Sequence, residues 1–209
     1  MQGQDSKKTD LFRIVVEQFV SLTDAEWSII RQHLVCKTLG KKELFISEGD
    51  ICSHIALIIS GSARYFHVKD GEIITGFFSL ENEIISAYPS FLTRKPCNVF
   101  IETLEKTELI LLSHQSLQEL LSHPLLSFKM ERFGRLIAEE LICCYDERIN
   151  SFIIKTPEER YIALLMKSPK IIKHIPQHYI ANYLGITPVS LSRIRRRIME
   201  PSGRTMINS

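Results

Sequence analysis

No apolar run in the chain approaches the roughly 20 residues that span a bilayer, and the opening MQGQDSKKTD lacks the apolar stretch of a secretory signal. No membrane association is expected, and the chain reads as cytoplasmic. Cysteine is scarce, at five in 209 residues (Cys36, Cys52, Cys97, Cys143 and Cys144), and no two form a C-x-x-C pair. A disulfide framework is therefore excluded as the source of stability, and the five read as structural thiols. Nine glycines and eight prolines are too few for a collagen-like or low-complexity chain. What is present, 44% hydrophobic and 24% charged residues, suits an ordinary folded protein with one large domain or two modest ones.

The net charge of +2 hides an uneven distribution. Residues 1 to 152 carry 16 Lys and Arg against 21 Asp and Glu, whereas residues 153 to 209 carry 10 against 3. A small basic module following a larger acidic one implies an anionic partner. Nucleic acid ranks ahead of membrane because no basic amphipathic anchor accompanies the charge.

Leu22-Thr23-Asp24-Ala25-Glu26-Trp27 predicts a helix start, with Thr23 and Glu26 as a capping box and Leu22 and Trp27 as a hydrophobic staple, and the helix should reach about Leu34. From Val35 to Ser113 short apolar segments recur, including Glu43 to Ile46, His54 to Ser60, Ala63 to Val68, Ile73 to Phe78, Val99 to Leu104 and Glu108 to Leu112. Such spacing predicts a β-sandwich or β-roll. Asp70-Gly71 is a two-residue hairpin signal, since both central positions of a type I′ turn want positive φ. Helical periodicity returns from about His114 to Leu121, and a long helix follows Pro124 to about Phe152. There Met130, Phe133, Ile137, Leu141, Cys144, Tyr145 and Ile149, with Phe152, recur at spacings of three and four. A helix of some 28 residues measures about 42 Å and outruns a β-roll of this size, so the stripe is expected to pair with a second copy of itself. Packing wholly on its own β domain is the alternative.

Thr156-Pro157-Glu158-Glu159 opens the basic module with a second capping box and proline at the first helical position; this helix should reach Lys167, with a break at Ser168-Pro169. Residues 177 to 198, QHYIANYLGITPVSLSRIRRRI, then read as helix-turn-helix. Ala181 is small where the helices cross, Gly185 permits the turn, and Ile180, Leu184, Ile186, Leu191, Ile194 and Ile198 join the helices. Thr187 caps the second helix. Its outer face, starting at Pro188, presents Val189, Ser190, Ser192, Arg193, Arg196 and Arg197. Arg193 is expected to read a base edge and Arg195, Arg196 and Arg197 to meet phosphates, with Thr187 and Gln177 as further contacts. The bland alternative is a solvated basic face.

The order of β-roll, long helix and helix-turn-helix resembles the Crp/Fnr superfamily of bacterial transcription regulators from about Leu22 to Ile198. The Ser47-Glu48-Gly49-Asp50 turn, Gly61 after an apolar strand and residues 177 to 198 carry the resemblance. It implies an α+β fold with a jelly-roll (double-stranded β-helix) sensor domain of the cyclic-nucleotide-binding type at residues 1–123. A dimerisation helix at 124–152 and a helix-turn-helix domain at 153–209 would follow. It further implies a homodimer, an inverted-repeat operator in double-stranded DNA, an effector pocket in each roll, no catalytic activity, and RNA polymerase as a candidate partner.

Two departures from the family pattern qualify these expectations. In nucleotide-binding members the roll carries Gly-Glu and later Arg followed by a small residue; here Ser86-Ala87 and Cys97-Asn98 stand in those places. Cyclic AMP is therefore not expected to bind, and an effector would instead meet Ser86, Ala87, Tyr88, Cys97, Asn98 and Tyr145. Arg94 and Lys95 lie close enough in sequence to substitute for the missing arginine, although exposed loop charges are the commoner case. Eleven residues after Ile198 are too few for the family's usual β-hairpin wing. The family's iron-sulfur sensors cluster cysteines near the N-terminus, so no cluster, and no metal or cofactor, is expected. Cys143-Cys144 are read as small buried hydrophobes ahead of a redox pair. A cupin-type metalloenzyme lacks its His-x-His pair, since His54 and His67 are the histidines between residues 34 and 113. A non-regulatory scaffold would leave the helix-turn-helix unexplained.

Overall fold

The computed structural model describes residues 2–199. These form two compact units, divided between Tyr145 and Asp146. The first unit opens with α1 (Gln2–Glu17) and α2 (Asp24–Arg31), followed by strands β1 (Leu34–Leu39), β2 (Leu44–Ile46), β3 (His54–Ser60), β4 (Ala63–Lys69), β5 (Glu72–Ser79) and β6 (Ile84–Ile85). Helix α3 (Tyr88–Thr93), β7 (Phe100–Thr103), β8 (Thr107–Ser113) and α4 (His114–Ser122) complete the roll, and α5 (Ser127–Ile154) continues into the second unit. The strands form two antiparallel four-stranded sheets, ordered β1-β8-β3-β6 and β2-β7-β4-β5. That is the jelly-roll order, in which the two inner faces enclose one core.

Local chemistry explains most of these elements. Thr23 caps α2 and Glu26 returns the bond to the Thr23 backbone, as the capping-box pattern predicts. The helix stops at Arg31, earlier than the sequence suggests, because Leu34 already pairs with Leu112 of β8. Asp70 and Gly71 both adopt positive φ, 53° and 79°, and join β4 to β5 as expected of a two-residue hairpin. The sequence reading did not foresee α1, which places Phe12, Val15 and Val16 in the roll's core. It also missed the short β6 and α3, and the cross-strand ion pair of Arg64 with Glu102 (2.6 Å), nearly buried beside the Phe66 ring.

Gly61 ends β3 with φ +97°, and a Cβ there would stand 2.5 Å from the Thr107 hydroxyl and 2.8 Å from the Lys106 carbonyl. Gly61→Ala is expected to cost about 2–4 kcal/mol, combining left-handed backbone strain with overpacking. Gly71→Ala, at φ +79° with open space around it, should cost only about 1–2 kcal/mol. Urea unfolding of both variants checks this, and equal losses would remove the steric part of the argument.

Glu26 also accepts a 2.7 Å bond from Lys129 of α5, tying α2 to the long helix. The ammonium, and then the backbone of Thr23, hold its carboxyl down at about 2, well below the usual 4.5. A depressed carboxyl stabilises the fold fully above the unfolded value and stops doing so as pH falls toward the folded one. Acid unfolding should therefore carry a Glu26 component between about pH 4.5 and 2 that Glu26→Gln removes. Identical acid profiles for wild type and variant would contradict it.

The second unit contains α6 (Pro157–Lys167), α7 (Pro169–His174), α8 (Gln177–Tyr183) and α9 (Pro188–Met199). Thr156 and Glu159 form the predicted capping box. At Ser168-Pro169 the proline ends α6 but also opens α7, a first-turn position that needs no N–H, so a short helix stands where a break was expected. The segment beyond Met199, expected to be too short for a wing, lies outside the described residues. Among the described residues no helix is long and apolar enough to cross a membrane.

Candidate functional site

In the second unit, α8 and α9 meet through Ile180, Ala181, Leu184, Leu191 and Ile194, all buried, with Ile186 and Ile198 partly covered. The turn between them is a Schellman closure: Ile186 N–H donates to Ala181 and Gly185 N–H to Asn182, with Gly185 at φ +69°. Thr187 then caps α9, its hydroxyl accepting from Ser190 N–H at 3.1 Å. The caps leave the first turn of α9 exposed, with Val189, Ser192 and Arg193 open to solvent and Ser190 half-buried. Arg196 and Arg197 extend the exposed face, and Gln177 and Thr187 are exposed at the starts of the two helices.

Two of the arginines differ from the expectation. Arg195 is half-buried at the edge of the inward face, and its Nε has no hydrogen-bond partner among the described residues. Its position, four residues after Leu191 and three before Ile198, turns it partly toward the helix contacts. Arg197 bonds Glu158 of α6 at 2.7 Å, across a groove lined also by Thr156, Ile162, Ser190 and Arg193. Both partners are substantially exposed, so the pair is worth at most about 1 kcal/mol and a phosphate can displace the carboxylate.

In the first unit, Ser86, Ala87 and Tyr88 lie together at the junction of β6 and α3. Ser86 donates from its hydroxyl to the His54 carbonyl (3.2 Å) and from its N–H to the Tyr65 hydroxyl (3.3 Å). Tyr65 packs edge-on against Phe77, and Phe77 lies 6.5 Å from the ring of Tyr145 on α5. Burial raises the Tyr65 pKa, so its hydroxyl stays protonated. The structure thus connects Ser86 with Tyr145 through Tyr65 and Phe77, two residues the sequence reading missed. Their facing positions across the β4–β5 hairpin were the available signal.

Cys97 and Asn98 serve a different neighbourhood. The Cys97 thiol points to the Ser47 carbonyl (3.0 Å), and its backbone exchanges bonds with Gly49 and Asp50, pinning the Ser47-to-Asp50 turn. Asn98 is exposed, and its carbonyl meets Nδ1 of His67 at 2.7 Å. Arg94 donates to the carbonyls of Cys52 and Phe91. Its guanidinium is thus engaged by backbone of its own helix, α3, and of the segment just before β3.

The apolar stripe of α5 divides into two parts. Met130 and Phe133, expected at a seam between copies, are 1% and 4% exposed and belong to the core of the roll, Phe133 meeting Phe19 edge-on at 5.6 Å. Ile137 also packs against that core, while Leu141 and Cys144 are half-buried. A side chain sealed inside its own domain has no surface to offer a partner, so Met130 and Phe133 are corrected to core residues. Tyr145 and Ile149 remain exposed, at 51% and 59%, as does Ile142 at 67%, a residue outside the stripe read from the sequence. Cys143 is exposed too, which corrects the reading of both vicinal thiols as buried: neighbours on a helix point about 100° apart and cannot share one covered face.

Comparison with known proteins agrees with this architecture. The family profile "Cyclic nucleotide-binding domain" matches residues 36–123. The transcriptional activator protein FnrA of Stutzerimonas stutzeri is 27% identical over 177 residues, spanning 78% of this chain and 70% of that protein. FixK2 of Bradyrhizobium japonicum superposes with a TM-score of 0.68 at 17% identity, covering 84% of this chain and 89% of its own. The c-di-GMP-responsive regulator CLP of Xanthomonas campestris gives 0.65 at 15% identity, covering 90% and 96%. Residues 36–123 thus carry a domain of the cyclic nucleotide-binding type, and the chain as a whole shares the fold of FixK2 and CLP and is similar in sequence to FnrA.

Proposed function

We propose that the chain is a cytoplasmic, homodimeric regulator that places α9 in the major groove of an inverted-repeat operator and takes an effector other than cyclic AMP, or none. Residues 1–123 would sense, 124–152 pair the copies and 153–209 hold DNA. The observation that carries this reading is the exposed face of α9, where short side chains precede Arg193, Arg196 and Arg197 on a helix capped and packed for rigid presentation. Small residues in the first turn let the helix approach base edges, while guanidinium groups further along reach bases or phosphates. On the sensor side, the aromatic path from Tyr65 through Phe77 to Tyr145 supports an apolar or flat effector near Ser86 and Tyr88.

Selection from a random duplex pool should enrich an inverted repeat whose half-site centres lie about 34 Å apart. On that repeat, Arg193→Ala is expected to cost about 1–3 kcal/mol and relax preference at one base pair. Arg196→Ala should weaken all sequences alike and reduce the salt slope by about 0.9. Filter binding across a salt series separates the two, and equal losses on specific and random DNA would place the reading face elsewhere.

A further inference from the structure

The helix-turn-helix is held to the end of α5 by two arginines that the DNA-binding reading does not use. Carbonyls at a helix C-terminus lack partners within the helix. At the end of α8 the Schellman turn satisfies Ala181 and Asn182, and Leu184 N–H takes Ile180. The next two carbonyls are met from outside. Arg148 of α5 donates to Tyr183, while Arg160 of α6 donates to Leu184 through both Nε (3.2 Å) and a terminal nitrogen (3.0 Å). Arg160 also reaches back to the carbonyl of Lys155, just beyond α5, at 2.8 Å.

The same guanidinium groups enclose the Phe152 ring, Arg148 at 4.4 Å and Arg160 at 4.6 Å from its centroid, and Arg148 also lies 3.5 Å from the Tyr183 centroid. Two like charges tolerate this proximity because each faces carbonyl oxygens and π-electron density. Phe152 in turn lies against Gly185, where an added Cβ would come within 3.1 Å of the ring. The residue at the pivot of the turn, the last turns of α5 and the start of α6 are therefore one interlocked joint.

We infer that Arg148 and Arg160, closed around Phe152, are positioning residues that fix the helix-turn-helix on the end of α5 and so set the half-site spacing a dimer accepts. This rests on the DNA-binding reading above. Paired recognition modules gain by linkage only when both sites are reachable at once, an advantage of about 10²–10⁴ that geometry can abolish. One added base pair shifts a half-site by about 3.4 Å and about a tenth of a turn, so a stiff joint penalises it and a loose one does not. Lysine keeps the charge and most of the stem but lacks the planar fork that serves two acceptors and stacks on a ring.

The test uses the full chain and the inverted repeat that wild type enriches from random duplex, with the half-sites moved apart or together by one base pair. Wild type should lose at least about tenfold on either shifted repeat. The Arg148→Lys, Arg160→Lys protein should remain dimeric and bind an isolated half-site as wild type does. It should lose about tenfold on the optimal repeat, yet less than about threefold further on the shifted ones. Thermal melting controls for folding; if the double variant does not fold, Arg160→Lys alone decides by the same measure. An unchanged spacing penalty overturns the positioning role. Failure of wild type to enrich any repeat overturns the DNA-binding reading instead, and the inference falls with it.

Discussion

Replacing both Ile142 and Ile149 by glutamate is expected to convert the protein from dimer to monomer. The two sit one heptad apart on α5 with Tyr145 between them, and all three are exposed. Such a stripe forms a two-stranded seam when it meets its own copy. Each substitution would then oppose a carboxylate to its symmetry mate in an apolar contact, and an unpaired buried charge costs about 3–5 kcal/mol. That is more than a hundredfold in the dissociation constant for even one position, at 1.4 kcal/mol per tenfold. Ile137 is unsuitable for this purpose because it packs on the roll, and a charge there would damage the fold of the monomer. Light scattering at micromolar concentration reads the result, with the melting temperature as the folding control. A double variant that stays dimeric would place the seam elsewhere, and a wild type that is monomeric would overturn the dimer itself.

Cyclic AMP is expected to give no saturable heat with the native protein up to about millimolar concentration. The ligand would bring a phosphate charge and a ribose hydroxyl to a roll where, by the resemblance to nucleotide-binding members, Ala87 and Cys97 stand for a glutamate and an arginine. The Cys97 thiol already faces the Ser47 carbonyl, and Arg94 is held by the carbonyls of Cys52 and Phe91. Losing a charge-assisted hydrogen bond costs about 1.5–3 kcal/mol, and leaving the phosphate buried without a cation adds more. Affinity should therefore fall by tens-fold at the least relative to a roll that keeps both groups. Calorimetry decides the matter. Micromolar binding that disappears when Arg94 and Lys95 are changed to alanine would show the loop charges turning inward to replace the missing arginine.

Much of this architecture was legible in the chain before any coordinates, because its signals are local. Capping boxes at Thr23 and Thr156, positive φ at Asp70-Gly71, the turn at Gly185 and the apolar spacing of α8 and α9 each depend on residues within a few positions of one another. The spacing of short apolar segments likewise located most strands, and helical periodicity the long helix. What only the tertiary structure decided is where a face goes once it has been made. The stripe on α5 is continuous in sequence, yet Met130 and Phe133 are covered by the roll while Tyr145 and Ile149 stay exposed, since a helix about 42 Å long outruns the sheet surface available to it. Arg94 reads as an exposed loop charge and Arg195 as a phosphate contact, but one bonds a carbonyl contributed from 42 positions away and the other lies half-buried at the rim of a helix contact. The joint of Arg148, Phe152 and Arg160 has no local pattern either. Its partners are the last carbonyls of α8, some 24 to 35 residues onward, and backbone oxygen leaves no mark in a string of side chains.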